Sequence, residues 1–198
     1  SKTPALDAKA SSVFINVMDT NPLAPDPEVV LAEHMEDFKN GVIVISKLSP
    51  KTYVTTARKT AVNVQGLSNV IHEQFEGPHP AGNVGTHIHF LNPVSANKFV
   101  WHLNYQDVIA IGRLFKTGEY YNERVISIAG PASRNPRLVR TIKGANIKDL
   151  AQGESFDNAQ IRYVSDSILI VSAAGGGGSS GGEGNTNQFN AFDVNNDG

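Results

Sequence analysis

The chain contains no cysteine. That excludes disulfides, thiolate nucleophiles, cysteinyl iron–sulfur clusters and Cys-type zinc sites, and it is compatible with a reducing compartment. Excess charge of either sign is also lacking: 17 Lys and Arg face 19 Asp and Glu, a formal net charge of −2. A nucleic-acid groove needs a basic stripe, so no nucleic-acid partner is expected. No Lys/Arg run offers an electrostatic tether to lipid. No window approaches the roughly 18 apolar residues of a membrane span, so any membrane role is expected to be peripheral. The start, Ser1-Lys2-Thr3-Pro4, has neither an apolar h-region after it nor a Met, and reads as that of a fragment or a processed product.

What is present is a globular composition, 40% hydrophobic and 18% charged over 198 residues, enough for one large domain or two small ones. Residues 12–18 (SVFINVM) form a compact apolar run expected to be a buried strand. Asp26-Pro27-Glu28 reads as a helix start, with an N-cap, a proline at the first helical position and an acid in the first turn. Leu31, Met35, Phe38, Val42 and Ile45 continue from it on one helical face. Residues 51–56 and 69–75 are strand candidates. Strand, helix, strand favours a mostly parallel sheet, hence a Rossmann-like α/β domain over residues 1–124.

Farther on, residues 98–103 look extended. Residues 105–117 look helical, with Val108, Ile111, Leu114 and Phe115 on one face and Gly118 at the C′ position. Residues 124–129 and 137–142 read as strands, 146–150 as a short helix, and 161–171 as one or two strands. The short, β-rich elements imply a second, smaller domain over 125–172. From 173 to 198 the Gly/Ser-rich and then Asn-rich composition is that of a flexible linker and a polar tail. The tail ends Asp193-Val194-Asn195-Asn196-Asp197-Gly198, the first half of a calcium loop without the acid that closes it, so a polar tail is the preferred reading and a truncated calcium-loop module the alternative.

The most informative stretch runs Gly77-Pro78-His79-Pro80-Ala81-Gly82-Asn83-Val84-Gly85-Thr86-His87-Ile88-His89-Phe90. Its glycines and prolines specify the backbone path. On a strand, His87 and His89 would share one face. With His79 and His102 they supply imidazoles for a metal, and zinc hydrolases use His-x-His. No acid follows at ligand spacing, so backbone-capping roles are preferred and no metal is expected. A metal-dependent hydrolase using His79, His87 and His89 is the competing reading. The dinucleotide fingerprint is missing where a Rossmann fold would carry it: Asp19-Thr20-Asn21-Pro22-Leu23-Ala24-Pro25-Asp26 has no glycine and two carboxylates. There is no Gly-x-Ser-x-Gly nucleophile elbow. Trp101, Tyr105, Phe115, Tyr120 and Tyr121 are expected in a core or an interface.

The Gly77–Phe90 stretch resembles the GPHPAG-x-x-GTH-x-HF block of the A subunit of the bacterial Na+-translocating NADH:quinone oxidoreductases. Met18-Asp19-Thr20-Asn21-Pro22-Leu23 is similar to the AMDTNPL segment of that family. Residues 93–96 (PVSA), 104–110 (NYQDVIA), 129–131 (AGP) and 136–141 (PRLVRT) match further blocks, so the resemblance covers roughly residues 1–171. It implies a Rossmann-like domain followed by a β-grasp domain of the soluble-ligand-binding type. It also implies a peripheral subunit on the cytoplasmic face of the bacterial inner membrane, within a pump that reduces ubiquinone with NADH and exports Na+.

The same resemblance extends to the flavin- and NADH-binding subunit of respiratory complex I, with the cofactor site lost. No cofactor is then expected in this chain, the flavins and iron lying in other subunits. Partners would be those subunits, above all the membrane subunit nearest the quinone site, and ubiquinone itself. The chain alone is expected to be inactive. The candidate contact residues for a ligand or partner are Gly77, Pro78, His79, Pro80, Gly82, Gly85, Thr86, His87 and His89. The family's N-terminal lipoyl-like domain and C-terminal helical region have no counterpart here. The Gly/Ser end departs from the family past Ser167, which puts completion of the β-grasp domain in question.

Overall fold

The computed structural model describes residues 4–154, 161–165 and 168–173. The tail and its half calcium loop lie outside these described residues. The chain divides into two compact units, one of Ser1–Pro22 with Asp26–Asn122, the other of Leu23–Pro25 with Glu123–Gly198.

The first unit is built on a parallel sheet of β1 (Ser12–Val17), β2 (Thr52–Ala57), β3 (Val70–Phe75) and β4 (Val100–Asn104), in the order β3-β2-β1-β4. The central strands are buried on both faces, which is why they read as apolar runs with small hydroxyls instead of an alternating pattern. Val13, Phe14, Ile15 and Val54 are fully buried, and Phe14 stacks on Tyr53 with ring centroids 4.7 Å apart.

Asp26 caps α1 (Pro27–Leu31) through a 2.9 Å bond from the Glu28 amide, with Pro27 at the first helical position. One continuous helix was the expectation from the Leu31–Ile45 stripe. The structure breaks it: His34 donates back only three residues, to the Leu31 carbonyl, and α2 (Met35–Ile45) starts afresh. The stripe survives the break, since Leu31, Phe38, Val42 and Ile45 are all buried.

The β1-to-β2 and β3-to-β4 connections run across the sheet in opposite directions. With right-handed crossovers, α2 and α3 (Val84–Leu91) therefore cover opposite faces. α4 (Tyr105–Thr117) begins at an Asn104 cap, ends at Gly118 in the left-handed conformation, and packs along α2. A Cβ on Gly112 would lie 1.8 Å from the Asp37 carbonyl oxygen, and one on Gly41 would lie 2.1 Å from that of Val108. Only glycines allow this approach. The buried face of α4 is accordingly Tyr105, Gln106, Val108, Ile109 and Gly112. The expected face of Val108, Ile111, Leu114 and Phe115 is corrected. Gly112 already lies opposite Asp37, near the start of α2, so Phe115 runs past the end of its partner helix and is exposed.

The second unit has β5 (Glu123–Ala129), β6 (Arg137–Ile142), α5 (Ile147–Leu150), β7 (Ile161–Ser165) and β8 (Ile168–Ala173), in the order β6-β5-β8-β7. Two antiparallel pairs are joined by parallel β5 and β8, the β-grasp pattern. Ile128, Ala132 and Ile147 form its small buried cluster, with Ile126, Val139 and Leu150 against it.

Candidate functional site

The fourteen-residue stretch leaves the carboxyl end of β3 and returns into α3. Two consecutive turns shape it: Ala81 N–H donates to the Pro78 carbonyl and Asn83 N–H to that of Pro80, both at 2.9 Å. The His79–Pro80 peptide is cis. The Thr86 hydroxyl donates back to the Pro80 carbonyl at 3.0 Å, tying the helix start to the turn.

Gly77 occupies φ 143°, a region open to glycine. Gly82 is held for a different reason. Its N–H donates to the Thr20 hydroxyl and its carbonyl accepts from Asn16 Nδ2, each at 2.9 Å. A Cβ there would sit 2.6 Å from the Thr20 backbone nitrogen. Gly85 faces open space. The end of β1 thus grips the turn through Asn16 and Thr20. Asn16 Oδ1 also accepts the Met18 N–H, and Thr20 Oγ1 lies 3.3 Å from His79 Nδ1.

His87 and His89 do not lie on a strand. Both are on α3, where residues two apart point nearly opposite ways. His87 is completely buried. Its ring packs on Phe75, centroids 4.1 Å apart, and Nε2 lies 2.7 Å from the Ala81 carbonyl. A carbonyl only accepts, so Nε2 carries the proton and Nδ1 is left with a lone pair that meets no partner. Burial pushes the His87 pKa down, against the opposing pull of the Ala81 bond. His89 is exposed and meets Phe90 edge-on. His79 lies on the exposed turn.

Among the described residues no group of three or more His, Asp or Glu is placed to hold a metal ion. The hydrolase built on His79, His87 and His89 therefore has no support. Helical geometry separates two of the rings, and His87 spends its Nε2 proton on the Ala81 carbonyl.

The strand order reverses between β1 and β4, and in sheets of this kind nucleotides bind outside the carboxyl ends of the strands at such a point. Tyr105, at the start of α4, is buried, with its hydroxyl 3.4 Å from Gln106 Nε2. Its pKa is driven well up by burial, with the charges of Asp19 and Asp26 adding to the rise. Asp26 caps α1, and Asp19 accepts from the Asn21 amide at 2.9 Å.

Sequence reasoning missed Asn16, Thr20 and Phe75 as partners of the turn. Thr20 was within reach, because it falls in a block shared with the resembled family. Asn16 and Phe75 carried no local signal.

The family described as "NqrA second alpha/beta domain" matches residues 1–120, and "NQRA C-terminal domain" matches residues 125–170. The chain is 53% identical over 169 residues to the A subunit of the Na(+)-translocating NADH-quinone reductase of Actinobacillus succinogenes, covering 85% of this chain and 38% of that protein. Its counterpart in Haemophilus influenzae (strain PittGG) is 53% identical over 171 residues, and that in Glaesserella parasuis serovar 5 is 54% identical over 172 residues, with the same coverage. The chain thus spans 38% of the length of these relatives. Among solved structures, the crystal structure of an NAD+-reducing [NiFe]-hydrogenase in the H2-reduced state aligns with a TM-score of 0.56 at 11% identity, over 80% of this chain and 35% of that one. That likeness is one of fold.

Proposed function

The chain belongs to the NqrA family, and from that premise we propose that it is the central scaffold of a peripheral, non-redox subunit of a Na+-translocating NADH:quinone reductase. In this reading it holds no flavin, nucleotide or metal. It contributes to ubiquinone reduction and Na+ export by positioning neighbouring subunits, chiefly the membrane subunit nearest the quinone site, at the cytoplasmic face of the inner membrane. Alone it oxidises no NADH.

What supports the non-redox part is the pair of carboxylates, Asp19 and Asp26, between the end of β1 and the start of α1. A dinucleotide site needs amides that approach the pyrophosphate and a helix N-terminus left free for it. Here Asp26 already accepts from the first turn of α1, and the charges of Asp19 and Asp26 act on Tyr105. Anchoring is compatible with the structure, in which no helix among the described residues is long and apolar enough to cross a membrane.

Two measurements test the proposal. Calorimetric titration with FMN and with NADH is expected to give no saturable heat, and saturable binding of either overturns the non-redox reading. Detergent-solubilised membrane subunits of the reductase are expected to be retained on the immobilised chain. Loss of retention in a His79→Ala/His89→Ala variant, both exposed side chains, with an unchanged melting temperature would assign the contact to that segment.

A further inference from the structure

The side chain that fixes α3 is ionisable. Val84, His87, Ile88 and Leu91 fall on one helical stripe of α3, the spacing by which an outer helix usually docks with aliphatic residues. Among the described residues 76–92, only Gly82 and His87 are buried, while Val84, Ile88 and Leu91 are partly buried. Gly82 has no side chain, so the one fully buried side chain of this segment is an imidazole.

His87 fits its site only when neutral. Nε2 donates to the Ala81 carbonyl, and the bare Nδ1 meets no partner. A second proton would go to Nδ1 and make both ring nitrogens donors. The new N–H and its charge would then be buried against the Phe75 ring with nothing to accept the bond. The surroundings offer little compensation. On β3, Glu73 shares the face of Phe75 two residues away, and Glu76 pairs with Arg58 at 3.0 Å on the surface. β1, against which α3 packs, carries no charged residue, and Asp19 beyond its end is bonded to Asn21. His79 lies against Thr20 on the exposed turn, and His89 is exposed on α3. Burial lowers the His87 pKa and the Ala81 bond opposes it, with no charged neighbour among the described residues contributing.

We propose that His87 is a proton-operated latch: neutral, it pins α3 and the preceding turn to the sheet, and protonated, it swings to water and lets both open while the sheet stays folded. The inference goes beyond the family reading and needs no partner. Its consequence is that acid loosens the segment carrying His79 and His89. Opening is local because little else resists it. Val84, Ile88 and Leu91 already reach water in part, and the other ties are hydrogen bonds that water can replace: Thr86 to Pro80, Asn92 to Ser12, and Asn16 and Thr20 to Gly82. In the open segment the imidazole titrates near its ordinary 6.5, and in the closed one lower. Opening is therefore suppressed above about pH 6.5 and grows as the pH falls from there toward the closed-state value.

Hydrogen exchange of the full chain, followed by NMR between pH 7.5 and 5.5 with labelling times scaled for intrinsic exchange, tests this. The Asn83, His87 and Asn92 amides, which bond within the segment, are expected to lose about threefold to tenfold in protection. The Val13 and Thr52 amides, which bond within the sheet, should lose far less. His87→Gln keeps an N–H for Ala81 but takes up no proton, and should abolish the loss, whereas His79→Gln/His89→Gln should retain it. In the parent, ring nitrogen shifts report the protonation of His87 directly, and the loss should follow that midpoint whether or not the Gln variant folds. Protection that is constant with pH, that falls equally at Val13 and Thr52, that falls in His87→Gln as in the parent, or that follows another midpoint overturns the latch. Each of these outcomes leaves the family reading intact, since no partner is present.

Discussion

Asn16 reaches across 66 positions of sequence to donate its Nδ2 to the Gly82 carbonyl at 2.9 Å. Together with the Thr20 hydroxyl, which accepts the Gly82 N–H at 2.9 Å, it satisfies both backbone groups of one residue at the carboxyl edge of the sheet. The stretch richest in glycine, proline and histidine is therefore held as a fixed turn by the strand beside it. Its imidazoles serve that turn in two ways: His79 lies against Thr20, and His87 donates to Ala81 from beneath.

Gly82→Ala is expected to destabilise the chain by about 2–4 kcal/mol, since the new methyl would meet backbone at 2.6 Å and the main chain must move. Asn16→Ala leaves the Gly82 carbonyl without its donor and is expected to cost about 1–3 kcal/mol. Gly85→Ala, with nothing near its Cβ, should be neutral or mildly stabilising because alanine favours the helix. Urea unfolding of the three variants checks the order. A Gly82→Ala variant as stable as Gly85→Ala would show that the close approach to Thr20 does not hold.

His87 predicts an acid-side weakness. Burial lowers its folded pKa from the ordinary 6.5, so the unfolded chain binds a proton that the folded chain refuses. Stability is present above about pH 6.5 and is lost as the pH falls from there toward the lower folded pKa. Protonation in place would set an N–H at the unpartnered Nδ1 position in a fully buried site. Unfolding free energies measured between pH 7.5 and 5 should decline, and the decline should be shallower in His87→Leu. Equal slopes in parent and variant would remove His87 as its source.

The element order of the α/β unit was legible because its signals are local. The Asp26 cap, the Pro27 start, the Gly118 stop and the apolar runs of β1 and β2 each sit within a few residues of what they specify. Errors arose where the deciding partner was distant. The His87-Ile88-His89 alternation has period two, yet the segment is helical, its first turn tied back to Pro80 by Thr86 and its end held at Ser12 by Asn92. Likewise the buried face of α4 is not legible at Gly112, because a glycine carries no hydrophobic signal although a Cβ there would meet the Asp37 backbone.

In the second unit, Arg137 binds Glu154 through two parallel bonds of 2.6 and 2.8 Å, and the Glu154 backbone carbonyl accepts from the Arg134 amide. The Arg137 guanidinium holds the Glu154 carboxyl below its ordinary 4.5, against the opposing effect of burial. That contribution is present above about pH 4.5 and is lost as the pH falls below it. Arg137→Met is expected to destabilise more than Arg137→Met/Glu154→Leu, because the single change strands a carboxylate that is only 8% exposed. Thermal melts at pH 7 compare the two. A single variant no less stable than the double would show that the pair is not coupled.

The α2–α4 crossing gives a prediction in which two sites are not independent. Gly41 and Gly112 meet across one contact: a Cβ on Gly112 would come within 2.6 Å of the Gly41 nitrogen as well as 1.8 Å of the Asp37 oxygen. Each Gly→Ala change forces the helices apart and is expected to cost about 2–4 kcal/mol, since the obstacle is backbone that cannot rotate away. Once one alanine has separated the helices, the second meets less resistance, so the double variant should lose clearly less than the sum of the singles. Val108, whose carbonyl oxygen and side chain lie opposite Gly41, should become more exposed in both single variants. A double-mutant cycle by urea unfolding measures the coupling. Additive losses would mean that the two glycines act at separate places, contrary to a shared crossing.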